Sequence, residues 1–128
     1  MRPFEHEVAA ELTALLRAGV PVRGVRLTVR ELVVAHIARG PLGAREVSDA
    51  VEAAVRAACH LARELDAPDE LVEAICRAAL DAVRGHGGQS ARWLAEATRA
   101  AGRVLDETAG ERGERAAWTR VARRVPDW

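Results

Sequence analysis

The sequence predicts an all-α fold, an Ala-rich antiparallel helical bundle of five to six helices closed by a short basic C-terminal helix. Three observations carry this prediction. Of 128 residues, 27 are Ala, Tyr is absent and Phe occurs once, so large side chains are too few for a broad core. The aliphatic residues recur at a spacing near 3.6, which places them in stripes along helices. Gly and Pro fall between these stripes and divide the chain into helix-length pieces. Such a chain has to bury narrow seams between closely approaching helices.

The first helix is expected over about 4–18, with Phe4, Val8, Leu12, Leu15 and Leu16 on one face. Gly19 suits the left-handed position after a helix, and Pro21 blocks continuation. The second helix, about 22–39, aligns Val22, Val25, Val29, Leu32, Val33 and His36, and Gly40-Pro41-Leu42-Gly43 ends it. Its Val content lowers helix propensity, but the period is helical rather than alternating. The third helix, about 44–65, carries Val47, Val51, Ala54, Val55, Ala58, Leu61, Ala62 and Leu65, with Glu52, Arg56 and Arg63 opposite.

Asp66-Ala67-Pro68-Asp69-Glu70 is a restart, because Pro suits a first turn and acids favour a helix N-terminus. The fourth helix, about 68–84, buries Leu71, Val72, Ile75, Ala79, Ala82 and Val83. After Gly85-His86-Gly87-Gly88, the fifth helix runs to about 108 with Trp93, Leu94, Ala97, Ala100, Ala101, Val104 and Leu105 on one face. Gly110-Glu111-Arg112-Gly113 separates a domain at 1–110 from a basic tail at 111–128, whose helix is expected over about 114–124. The short connections make sequential neighbours antiparallel.

Net charge is zero, but its distribution is uneven. Residues 1–45 carry +3, residues 46–111 carry −6 and residues 112–128 carry +3. Basic ends beside an acidic middle suggest local neutralisation within the fold or association through unlike patches. A neutral total does not favour nonspecific nucleic-acid binding. The opening Met1–Glu7 turns acidic before any apolar run, which reads against a secretory leader. No stretch reaches the roughly 18 apolar residues of a membrane span. Two Cys without zinc-ligand spacing fit a reducing cytoplasm, and a cytoplasmic location is expected.

Chemistry-bearing residues are sparse. There is no Ser-His-Asp ordering with elbow glycines, no inward carboxylate pair and no metal motif, so the chain reads as nonenzymatic and no cofactor is expected. His36 faces inward as a core residue or, alternatively, as a ligand in a pocket with Cys76 and Trp93. His60 falls opposite the third stripe. Cys59 and Cys76 are equidistant from the turn at Ala67-Pro68, so an antiparallel hairpin sets them at one height, either as buried thiols or as a redox-sensitive pair. Arg23, Arg26 and Arg30 share one face of the second helix, either solvated, opposed by Glu52, Glu64 or Glu73, or binding phosphate. Trp118, Trp128, Arg120, Arg123 and Arg124 make a basic, aromatic end suited to packing on the bundle or docking on a partner.

The stretch Leu27-Thr28-Val29-Arg30 to Gly40-Pro41-Leu42, then Val47-Ser48-Asp49-Ala50-Val51 to His60, and Trp93-Leu94-Ala95-Glu96-Ala97-Thr98 to Leu105-Asp106-Glu107 resembles a family of uncharacterised bacterial Ala-rich, phasin-like helical proteins. The match covers roughly residues 22–108, and Trp93, Cys59 and Cys76 depart from it. The resemblance implies a helical, oligomer-prone chain that binds a protein or granule surface, and it transfers no catalytic residue.

The function expected from these features is that of a nonenzymatic interaction or scaffold protein, self-associating as a homo-oligomer or docking on a partner. Val33, Ile37, Leu80, Trp118 and Trp128 are its candidate contacts. A ligand- or cofactor-binding bundle is the alternative, and a nucleic-acid-binding regulator using the Arg23, Arg26 and Arg30 face comes after it.

Overall fold

A computed structural model describes residues 3–38, 43–65, 69–85 and 90–108. These residues form five helices: α1 (Pro3–Arg17), α2 (Val22–Ala38), α3 (Ala44–Glu64), α4 (Asp69–Arg84) and α5 (Ser90–Thr108). No strand occurs among the described residues, and the helices pack against one another as an all-α bundle. The helix expected at about 114–124, and with it Trp118, Arg120, Arg123, Arg124 and Trp128, lies outside the described residues.

Local chemistry sets the boundaries. Gly19 adopts φ +74°, the left-handed conformation that glycine reaches without steric cost. Its N–H bonds the Leu16 carbonyl and the Val20 N–H bonds the Leu15 carbonyl, so the two close the end of α1 as a Schellman motif. Half-buried Val20 and Leu15 both pack against the core, supplying the motif's apolar clasp. Inside the helices, the hydroxyls of Thr13, Thr28 and Thr98 donate to the carbonyls four residues earlier, which satisfies them without an outside partner.

The most extensive packing joins helices two apart in sequence, α3 with α5 and α2 with α4. Each of these pairs runs parallel. Along α2 and α4, Val22 lies near Glu73 and Arg77, Arg26 bonds Asp81, and Arg30 reaches Gly85. Along α3 and α5, Glu52 pairs with Arg103 and Arg56 with Glu107. α3 also packs on α1, α2 and α4 and forms the centre of the fold.

The core is built from the predicted stripes. Val47, Val51, Val55 and Leu61 of α3 meet Leu71, Val72, Ile75 and Val83 of α4 and Val104 and Leu105 of α5 in one cluster. Ala50, Ala53, Ala54, Ala57 and Ala58 of α3, Ala78, Ala79 and Ala82 of α4, and Ala97 and Ala101 of α5 fill the spaces between them. A helix face of Ala keeps the interaxial distance short, since that distance follows the size of the side chains at the contact. Leu65 departs from expectation. It sits beyond the last turn of α3 and is half exposed.

Two packing features were not foreseen. Glu5 is buried in α1, with 6% of its surface exposed, although it is a carboxylate that directly follows Phe4, the first residue of the apolar stripe. Phe4 stacks on His36 with ring centroids 3.9 Å apart and planes 13° apart, joining α1 to α2.

Candidate functional site

Arg23, Arg26 and Arg30 follow one another at three- and four-residue steps on α2 and project along its border with α4. On α4, Arg77, Asp81 and Arg84 repeat the same helical spacing on a face next to the apolar stripe. Parallel packing of the two helices sets these rows side by side. Asp81 accepts a 2.8 Å hydrogen bond from the Arg26 guanidinium. Both partners are partly exposed, so the pair fixes position more than it stabilises the fold.

The two rows line one groove with two unlike ends. The basic end has a volume of about 500 Å³ and, among the described residues, is lined by Arg23, Arg26, Arg30 and Arg84 against Asp81 alone, with Leu27 at its lip. The other end shares Arg23 and Arg26 and adds Arg77, Glu70 and Glu73. At the basic end, four guanidiniums against one carboxylate leave a charge of +3. The C-terminus of α4 opposes this with about half a negative charge, which is too little to reverse it. Among the described residues, Arg23, Arg30, Arg77 and Arg84 form no ion pair.

Charge on the α3–α5 side is arranged differently. Arg56 donates to Glu52 at 3.0 Å and to Glu107 at 3.1 Å, and it lies 4.0 Å from buried Glu5. The Glu52 bond is the main reason its pKa rises, with the Glu107 bond adding, against the lowering effect of burial. Arg103 approaches Glu52 at 3.9 Å, His60 faces Glu64 at 3.4 Å, and Arg99 pairs with Glu96. These contacts tie α1, α3 and α5 together and engage Arg56, Arg99 and Arg103.

The sequence-predicted residues are distributed as follows. Arg23, Arg26 and Arg30 do share one site. Their opposing acid is Asp81, while Glu73 lines the far end of the groove, Glu52 serves Arg56 and Glu64 serves His60. Val33, Ile37 and Leu80, expected as partner contacts, are instead core residues with 0%, 4% and 0% of their surface exposed. The reason is the α2–α4 pairing, which covers the stripe that each helix taken singly leaves over.

His36, Cys76 and Trp93 occupy α2, α4 and α5, and none of them lines the groove. His36 is half-buried against Phe4, and Trp93 is half-buried against the core. Cys59 and Cys76 are free thiols, both buried. Burial pushes the Cys76 pKa far up, and neighbouring Cys59 and Glu73 add to the shift, so the two thiols are close enough to interact. Among the described residues no group of three His, Cys, Asp or Glu is placed to hold a metal ion. No helix among them is long and apolar enough to cross a membrane.

Arg84, Arg77 and Asp81 escaped the sequence reading. Their signal was present: charged residues at i, i+4 and i+7 lie on one flank of the fourth apolar stripe. What the sequence lacked was the pairing of α4 with α2 rather than with its chain neighbours alone.

Compared with protein-family models, curated proteins and solved structures, the chain matches none.

Proposed function

We propose that the chain is a nonenzymatic helical binding module whose working surface is the α2–α4 groove, and that it docks on an anionic group of its partner. The observation that carries this reading is the convergence of Arg23, Arg30 and Arg84, each without an ion pair among the described residues, around one concave surface. Elsewhere, Arg56 of α3 and Arg99 and Arg103 of α5 are tied to carboxylates of the chain itself. Unpaired guanidiniums in a groove are a ready source of charge-assisted hydrogen bonds to an incoming anion.

Chromatography on a phosphate-bearing cation exchanger near pH 7 tests the reading. The chain carries no net charge there, so retention reports a local patch. Arg23→Glu combined with Arg30→Glu should abolish retention at moderate salt. Arg92→Glu combined with Arg99→Glu changes net charge equally and should retain more. Equal loss in the two variants would remove the groove from the account.

A second reading, self-association, draws on Leu27 and Val34, which are 51% and 39% exposed and seven residues apart on the outer side of α2. It has less support. Two copies of α2 meeting antiparallel along that ridge bring the arginine flank of one against the arginine flank of the other. Light scattering across a concentration series checks it, and a mass that stays at one chain speaks against it.

A further inference from the structure

We infer that the basic end of the α2–α4 groove is a binding site for a compact, multiply charged phosphate, of the size and charge class of diphosphate. The inference rests on the anionic-docking reading and names its occupant.

Charge selects a phosphate group of more than one unit. A phosphate monoester carries about −1.5 to −2 at neutral pH, which under-neutralises this end of the groove. Its four guanidiniums and one carboxylate sum to +3, a match for two joined phosphates. Planar guanidiniums bind phosphate oxygens two at a time, and three of the four are without an ion pair among the described residues.

Size and surroundings select a compact ligand over a polymer. From Arg23 to Arg30 the cationic row extends about 10 Å at the helical rise per residue. Duplex DNA places a negative charge about every 1.7 Å along its axis, so it runs beyond such a patch. At one end it would meet Glu70 and Glu73, which line the continuation of the groove. Those carboxylates do not oppose a ligand seated between Arg30 and Arg84. The volume of about 500 Å³ lies in the range of small-molecule sites. Leu27 at the lip offers an apolar surface to whatever organic group the phosphate carries.

Calorimetric titration of the full chain with diphosphate, inorganic phosphate and sulfate at low ionic strength is the test. Diphosphate should bind saturably with one equivalent, and phosphate and sulfate about tenfold or more weakly, as fewer charge-assisted bonds imply. Arg30→Ala with Arg84→Ala should weaken diphosphate by at least about tenfold without lowering the melting temperature, because both residues are exposed. Arg84→Lys, which keeps the charge but loses the planar fork, should fall between, and Arg92→Ala should match the native chain. No diphosphate binding at millimolar concentration overturns the inference, as does equal weakening by Arg92→Ala. A duplex oligonucleotide binding more tightly than diphosphate, with steep salt dependence, also overturns it. If diphosphate fails but retention on the phosphate resin still depends on Arg23 and Arg30, the compact ligand falls and the anionic face stands. If retention fails too, both fall.

Discussion

Arg26 on α2 donates a 2.8 Å hydrogen bond to Asp81 on α4, and this pair stands where the basic and mixed-charge ends of the groove meet. Among the described residues, Asp81 is the one carboxylate lining the basic end. Its presence limits the charge there and anchors one of four guanidiniums.

Asp81→Asn should therefore separate binding from stability. Removing the carboxylate raises the charge facing an anion and should tighten diphosphate severalfold. The cost to folding should be about 0.5 kcal/mol, the scale of a partly exposed ion pair. Calorimetric titration and urea denaturation of the same variant read both quantities. Weakened diphosphate binding would mean that Arg26 needs Asp81 to hold it in place.

The alanine seam makes a prediction of its own. Ala54 and Ala58 of α3 are fully buried, so Ala54→Leu adds three carbons to the seam and should destabilise by about 1–3 kcal/mol through overpacking. Leu80→Ala empties a fully buried site and should cost about 2–5 kcal/mol. Ala95→Leu, on the exposed side of α5, should be close to neutral. Chemical denaturation of the three variants checks the order. A neutral Ala54→Leu would show the helices are not in close contact there.

Glu5 and Arg56 should behave as a coupled pair. Arg56→Ala leaves buried Glu5 without the cation 4.0 Å away, at a cost of about 1–3 kcal/mol. Adding Glu5→Gln to Arg56→Ala should recover part of that loss. A double-mutant cycle measures the coupling, and additive losses would show that Glu5 does not depend on Arg56.

The buried thiols set an alkaline limit. The chain has no Lys or Tyr, so between neutrality and the arginine range few groups besides Cys59 and Cys76 titrate. Burial raises the folded pKa of Cys76 above its unfolded value. Its contribution is present below the unfolded thiol pKa of about 8.5 and is lost as pH rises toward the folded value. The slope for one thiol is at most about 1.4 kcal/mol per pH unit. Urea midpoints from pH 7 to 10.5 should fall in the native chain and fall less in Cys76→Ala. Parallel curves would remove Cys76 as the cause.

The fold was legible because its punctuation is unambiguous. Gly19-Val20-Pro21 and the Pro68-Asp69-Glu70 restart bracket helices whose stripes keep a constant period, and the helix ends stand within two residues of the spacing. Tertiary neighbours were not legible. Short connections show that successive helices turn back on each other, but they do not say that α2 lies along α4. That one relationship moved Val33, Ile37 and Leu80 from surface to core. It also brought Arg77, Asp81 and Arg84 beside the arginines of α2. The burial of Glu5 was not legible for a related reason, since Arg56, the cation 4.0 Å away, is on α3, far away in sequence.

The most direct test of the central claim is a diphosphate titration of ¹⁵N-labelled protein that follows the arginine Nε–Hε resonances. Saturable shifts concentrated on Arg23, Arg30 and Arg84, with Arg92, Arg99 and Arg103 unmoved, are the predicted result. Shifts spread evenly over the arginines of α2, α4 and α5, or no shifts at all, would contradict it.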